Sequence, residues 1–323
     1  VLILSATDIR RALPMRAAID SQKKAYASLA TGNSVLPLRT PVTVPTQNAV
    51  TLFMPARVEN DLGVKIVSVF PKNIDRKLPM IHGVVILIDS ENGVPIALMD
   101  ATYLTALRTG AGAGAATELL ARPDSKIAAI IGSGTQARTQ LLAICEVRPI
   151  SETRIYSRDS HRISHFVEDM QPQVKAKLIA AASPREAITD ADIVCAATTS
   201  LTPVFDGRDL KAGAHVNGVG AYTLQMKEID NETIHRAKNV FVDSRETTFA
   251  EAGDVMDAIQ NKVVAENDLI EIGAVAAGQH TGRAADGDIT FFKSCGVAVQ
   301  DVAAGGEVLR RAREMKLGIE VIL

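Results

Sequence analysis

Two groups of residues have types and spacings that could do chemistry. The first is Ile130-Ile131-Gly132-Ser133-Gly134-Thr135-Gln136-Ala137, in which an apolar run ends in a glycine-spaced turn and a helical pattern begins. In a G-x-G-x-x-A turn, Gly132 allows the tight bend and Gly134 lets a pyrophosphate approach the backbone. Ala137 keeps helix and strand close, and the free N–H groups of the helix start face the anion. The second group is basic. Lys65, in Leu62-Gly63-Val64-Lys65-Ile66-Val67-Ser68-Val69-Phe70, shares a strand face with Val67 and Val69. Arg108, in Tyr103-Leu104-Thr105-Ala106-Leu107-Arg108-Thr109-Gly110, shares a helix face with Leu104 and Gly112. Charges on apolar faces suit a carboxylate ligand, although an edge or snorkelling lysine has the same pattern. Arg39, in Leu36-Pro37-Leu38-Arg39-Thr40, reads by itself as a surface residue.

The turn predicts a nicotinamide dinucleotide, and the next strand bears on which one. NAD sites usually place an acidic residue about twenty positions beyond the glycines to accept from the ribose hydroxyls. Here Ile155-Tyr156 lead to Ser157-Arg158, with Asp159 one step further. A hydroxyl and a guanidinium suit a 2′-phosphate, so NADP(H) is preferred and NAD(H) possible. In the opposing reading Arg158 is solvated and Asp159 reaches the ribose.

These groups need elements to hold them. At 323 residues two domains are expected. The composition, 47% hydrophobic and 22% charged with a net charge of −2, predicts an ordinary globular protein and argues against nucleic-acid or membrane-surface partners. Cys145, Cys195 and Cys295 have neither metal-ligand spacing nor a disulfide framework, and no metal is expected. Together with the absence of a basic leader or a spanning apolar run, this predicts the cytoplasm. Helices are expected from Ser5, broken at Pro14, and over Met15–Ala30. A β-rich stretch runs from about 35 to 100, and a helix capped by Asp100 reaches about Leu120. Arg122-Pro123-Asp124 reads as a linker. Strand-like runs at 126–131, 153–157, 177–181, 192–197, 214–219 and 239–243 then alternate with helical patterns, as in parallel βαβ units. A short helix over Val302–Lys316 and a last strand over 318–323 could return to the first domain. The fold class is therefore α/β, a doubly wound Rossmann sheet inserted in an α+β domain. The boundaries are 1–121 completed by 296–323, and 122–295.

The chain resembles the ornithine cyclodeaminase/mu-crystallin family. Leu38-Arg39, Leu62-Gly63-Val64-Lys65, Leu104-Thr105-Ala106-Leu107-Arg108-Thr109, the Gly132–Ala137 turn, Phe292-Lys293-Ser294-Cys295-Gly296 and the following Asp301 occur in the family's order over most of the chain. The resemblance implies a homodimer whose outer domain carries both the substrate site and the dimer interface. It implies that Arg39, Lys65 and Arg108 surround the carboxylate and reacting nitrogen of an amino or imino acid, with Arg108 also against the cofactor. Thr135 and Gln136 would contact the pyrophosphate, and Ser157 and Arg158 the adenosine ribose. Thr198 would sit beside the dinucleotide, Val219, Gly220 and Ser294 near the nicotinamide, and Cys295 beside the substrate as a packing residue. His82 falls where the family has a polar residue near the cofactor. It could supply a proton or be structural, and the other five histidines read as surface residues.

One departure narrows the chemistry. Where cyclodeaminases carry a catalytic Asp after Val-Gly-Gly, this chain has Val219-Gly220-Ala221-Tyr222. A phenol near pKa 10 cannot replace a carboxylate that holds a substrate ammonium, although Tyr222 could still contact substrate. The expected reaction is NAD(P)H-dependent reduction of a cyclic α-imino acid, Δ1-pyrroline-2-carboxylate or Δ1-piperideine-2-carboxylate, to L-proline or L-pipecolate. The alternatives are cyclodeamination of ornithine, an alanine dehydrogenase-like reaction, and a non-catalytic, crystallin-like NADP-binding protein.

Overall fold

The computed structural model describes residues 1–322. The chain divides into two compact units, Val1–Arg108 with the segment from Val297 onward, and Thr109–Gly296. The division falls inside the helix Ala101–Leu120, ahead of the Arg122-Pro123-Asp124 stretch where composition put it.

The first unit is built on a mixed sheet. In order, its strands are Ile319–Glu320, Leu2–Leu4, Pro95–Asp100, Ile81–Asp89, Asp61–Val69, Ala49–Val58 and Ser34–Val35, with Thr40–Val44 also pairing with Ala49–Val58. The short Leu2–Leu4 strand precedes the first helix and escapes the sequence reading. Ser5 then starts the helix Ala6–Ala12 with a capping box: its hydroxyl accepts from Asp8 N, and its own N–H donates to the Asp8 carboxylate. Pro14, with no N–H to lose, sits at the start of the next helix, Met15–Ala30.

Pairing register sorts the sheet's side chains onto two faces, because cross-strand partners point the same way and neighbours along a strand alternate. Met54, Lys65, Val85 and Met99 are register partners on one face, and Ala56, Leu87 and Ala97 share it. All seven are buried, with the helix Ala298–Glu314 packed on these strands. Phe53, Val64, Ile66, Val84, Ile86 and Leu98 line the other face and are only partly covered.

The second unit contains an eight-stranded sheet in which every pairing is parallel. Its order is Lys177–Ala180, Glu152–Tyr156, Ile127–Ile131, Ile193–Ala196, His215–Gly218, Ile289–Lys293, Ala237–Val242 and Leu269–Glu271. The direction of winding reverses between Ile127–Ile131 and Ile193–Ala196, the switch point beside which dinucleotides bind in such sheets. One core cluster joins Ala128, Ile130, Ile155 and Ile193 to Leu141, Ile144 and Phe166. A second gathers Ala129, Ile131, Val194, Ala196 and Val216. This is a Rossmann fold. The alternating series extends beyond the sequence reading, which stops at 239–243. Leu269–Glu271 is only three residues long. Ile289–Lys293 follows a Gly/Asp-rich stretch and ends in a charge, yet all five of its residues are buried. Among the described residues no helix is long and apolar enough to cross a membrane, and no group of His, Cys, Asp or Glu could hold a metal ion.

Candidate functional site

The first unit joins residues far apart in sequence. Lys65, on the covered face of its strand, places Nζ 2.7 Å from Asp301 Oδ2. Arg108 reaches the other oxygen, with Nε 2.8 Å from Oδ1, and donates through Nη1 to Gln300 Oε1 at 3.0 Å. Lys65, Arg108 and Asp301 are 2%, 4% and 0% exposed. Gln300 is fixed in turn: its Nε2 donates to the Tyr26 hydroxyl at 2.8 Å, and its Oε1 also accepts from Val297 N. Asp301 lies in the first turn of the helix Ala298–Glu314, where an anion complements the helix dipole.

Two cations and one carboxylate thus share a buried site. Burial alone would raise the Asp301 pKa, but Arg108 and Lys65 beside it bring it below the ordinary carboxylate value. Lys65 goes the other way. Burial lowers it to about 7, with Asp301 opposing and the positive charges of Arg108 and Arg39 assisting. Arg39, half-buried, is therefore close enough for its charge to act on Lys65. The sequence placed Asp301 in the family pattern without a role and passed over Gln300, and neither was seen to tie Lys65 and Arg108 together. The available signal was an acidic residue between valines in Val299-Gln300-Asp301-Val302.

His82 does not share a sheet face with Lys65. It pairs with Ser68, which lies three positions along the strand from Lys65, so His82 points to the opposite face of the sheet and is exposed. Nor are the other five histidines all at the surface. His215 is fully buried in the second unit between Thr290 Oγ1 and Asn217 Oδ1, and burial pushes its pKa down to about 3.

In the second unit the glycine turn leaves the start of a helix open. Gly132 follows the strand with φ +116°, and a Cβ there would stand 2.7 Å from the Ala197 carbonyl oxygen. Gly134 is the N-cap of the helix Thr135–Val147 and supplies no side-chain cap, leaving the first-turn N–H groups to an outside acceptor. A Cβ on Gly134 would meet only open space, and Gly134 and Thr135 are exposed. Gln136 is half-buried and Ala137 buried. These residues fit the pyrophosphate of a dinucleotide. At the end of the next strand, Ser133 Oγ donates to Ser157 Oγ at 3.1 Å, Arg158 is exposed, and Asp159 caps the following helix by accepting from His161 N and Arg162 N.

The remaining sequence-predicted residues of this unit gather at the carboxyl ends of its strands. Thr198 follows Ile193–Ala196, Val219 and Gly220 follow His215–Gly218, and Ser294 follows Ile289–Lys293. Ser294 Oγ donates to Asp243 Oδ2 at 2.8 Å, and Gly296 N donates to the same oxygen. Cys295 is half-buried with its thiol pKa raised chiefly by burial, which leaves it a neutral packing group. Tyr222 is 39% exposed. Three buried charges here were given no role from the sequence: Glu228, Lys293 and Asp254.

Known proteins resemble the whole chain. A Δ1-pyrroline-2-carboxylate reductase of Bacillus cereus is 34% identical over 321 residues, 98% of each chain. The Thermococcus litoralis Δ1-pyrroline-2-carboxylate reductase, solved with NADH and L-proline, is 38% identical with a TM-score of 0.94, covering 99% of this chain and all of that one. An archaeal alanine dehydrogenase dimer with bound NAD is 31% identical with a TM-score of 0.92, covering 100% and 99%. The family model for ornithine cyclodeaminase/mu-crystallin matches residues 1–316, and the chain belongs to that family.

Proposed function

We propose that the protein is an NAD(P)H-dependent oxidoreductase that reduces a cyclic α-imino acid, Δ1-pyrroline-2-carboxylate or Δ1-piperideine-2-carboxylate, to the L-amino acid. The observation that carries this reading is the buried surplus of positive charge, Lys65 and Arg108 against the single carboxylate of Asp301. A buried unpaired cation is costly, and a ligand carboxylate restores the balance. The reductases and the dehydrogenase to which the chain is similar, one of them solved with L-proline, support an imino or amino acid as that ligand.

Arg108 and Lys65 hold the substrate carboxylate, and Arg39 adds charge nearby. Asp301 and Gln300 fix the directions of Arg108 and Lys65, so little reorganisation is needed when substrate arrives. The residues of the Gly132–Ala137 turn hold the pyrophosphate, and Thr198, Val219, Gly220 and Ser294 the nicotinamide side. Bound nicotinamide supplies a hydride. When the imine carbon accepts it, the C=N π pair moves to a nitrogen that is already protonated, giving a neutral amine. The amine then takes its second proton from Lys65 or from water. With a pKa of about 7, Lys65 can give and recover that proton at neutral pH.

Cofactor choice rests on Ser157, Arg158 and Asp159. Arg158 is free to face solvent or a 2′-phosphate, and Asp159 is engaged as a helix cap, which favours NADP(H) with NAD(H) usable. The partly covered sheet face of Phe53, Val64, Ile66, Val84 and Ile86 fits a homodimer interface, in keeping with the dimeric dehydrogenase neighbour.

The deciding assay follows NADPH and NADH oxidation with each imino acid, with pyruvate plus ammonia, and ammonia release from L-ornithine with NAD. Imino acid turnover without ammonia, lost in Lys65→Met, is the expected result. Turnover only with a keto acid plus ammonia, or a Lys65→Met variant within twofold of the parent kcat/KM, overturns it.

A further inference from the structure

We propose that Glu228 and Lys293 are positioning residues that hold the Val219-Gly220-Ala221 segment in register for hydride transfer. The inference rests on the dinucleotide reading above and adds residues to which it gave no role. Three neighbouring parallel strands, Ile193–Ala196, His215–Gly218 and Ile289–Lys293, end on the same edge of the sheet. Their ends are tied by two side chains. The Glu228 carboxylate accepts from Thr198 N with Oε1 and from Gly220 N and Ala221 N with Oε2, the last at 2.9 Å. Lys293 Nζ donates to the Ala221 carbonyl at 2.7 Å and pairs with Asp254 at 3.1 Å. Glu228, Lys293 and Asp254 are each 0% exposed.

Such a network is expensive to bury, and a neutral core would stabilise the fold as well. What it adds is direction. Three backbone N–H groups and one carbonyl, from two strand ends, converge on two charges that cannot relax into water. Gly220 belongs to the same arrangement, since a Cβ there would collide with the backbone of Thr198 and with Glu228 Oε1. The ties reach residues on the carboxyl edge, where open α/β sheets bind their ligands. The Gly132 turn, to which the reading above gives the pyrophosphate, contributes no residue to them.

Glu228→Gln makes a selective test. The amide oxygen can serve one side, but the NH2 group then faces N–H donors on the other, so one tie becomes a repulsion while volume is conserved. The expected result is NADPH affinity, read by fluorescence, within about threefold of the parent, because the contacts of the pyrophosphate and adenosine are untouched. Turnover of the imino acid reduced fastest by the parent falls about 100-fold, the scale of a misplacement near 1 Å, and 4-deuterated NADPH shows a larger isotope effect. Lys293→Met gives the same split and serves as the second variant should Glu228→Gln fail to fold. A purely structural role would lower thermal stability and the active fraction without changing the isotope effect. Folded variants that keep the parent kcat and isotope effect overturn the proposal alone. A parent protein that binds neither NADPH nor NADH overturns the dinucleotide reading with it.

Discussion

Lys65 offers the sharpest test of the charge balance. Its pKa stands at about 7 because burial outweighs the attraction of Asp301. A ligand carboxylate beside it favours the ammonium, so binding should take up protons near neutral pH and weaken above it. The probe is pyrrole-2-carboxylate, a planar ring acid with no nitrogen that titrates between pH 6 and 9. If only charged Lys65 binds it well, the dissociation constant rises little below pH 7 and then tenfold per unit, about 90-fold from pH 6 to pH 9. At pH 7 about half a proton is taken up per site, visible as a buffer-dependent binding enthalpy in calorimetry. Lys65→Arg, charged throughout, should flatten the profile and abolish proton uptake while still binding. Lys65→Met should be flat and weak. A parent affinity constant from pH 6 to 9, with Lys65→Met still weak, would refute the argument: Lys65 would then be held charged by Asp301 whatever the ligand.

Other consequences are more direct. Asp301→Asn leaves Lys65 and Arg108 buried without their shared anion and should cost about 3–5 kcal/mol of stability in urea unfolding, less at high pH where Lys65 can shed its proton. Gly132→Ala must adopt φ +116° with its Cβ against the Ala197 carbonyl, and should raise the NADPH dissociation constant at least about tenfold in a fluorescence titration. His215 is neutral in the fold, with a pKa of about 3, and gains a proton below about 6.5 when unfolded. Its stabilising contribution is therefore complete above pH 6.5 and is lost as the pH falls toward 3, about 2 kcal/mol by pH 5. His215→Gln should flatten the stability profile between pH 5 and 7, and an unchanged slope would assign it to other groups.

Legibility in the sequence followed the range of each interaction. Gly132, Gly134 and the helix behind them could be read because a phosphate turn is local: strand, turn and helix are contiguous, and backbone geometry dictates the residue types. Lys65 and Arg108 could be suspected because a charge on an apolar face breaks periodicity. The face of His82 could not be read because a residue's position along a strand says nothing of its face until register is known, and its partner Ser68 lies an odd number of positions, three, from Lys65. Ile289–Lys293 was hidden for a related reason: a strand buried on both faces has no alternation to betray it.

Asp301 shows why such sites stay half visible. A buried carboxylate in a helix reads by itself as a cost, and only Lys65, 236 positions earlier, and Arg108, 193 positions earlier, turn it into a clamp. The same holds for Glu228, whose partners are backbone N–H groups that no side-chain pattern records. In both places the proposed function gives the ligand to the legible residue, and the illegible one fixes its direction. Replacing the legible member should therefore remove binding, whereas replacing its support should leave binding and disturb geometry. The contrast between Lys65→Met and Glu228→Gln measures this: the first should appear mainly in ligand affinity, the second mainly in kcat.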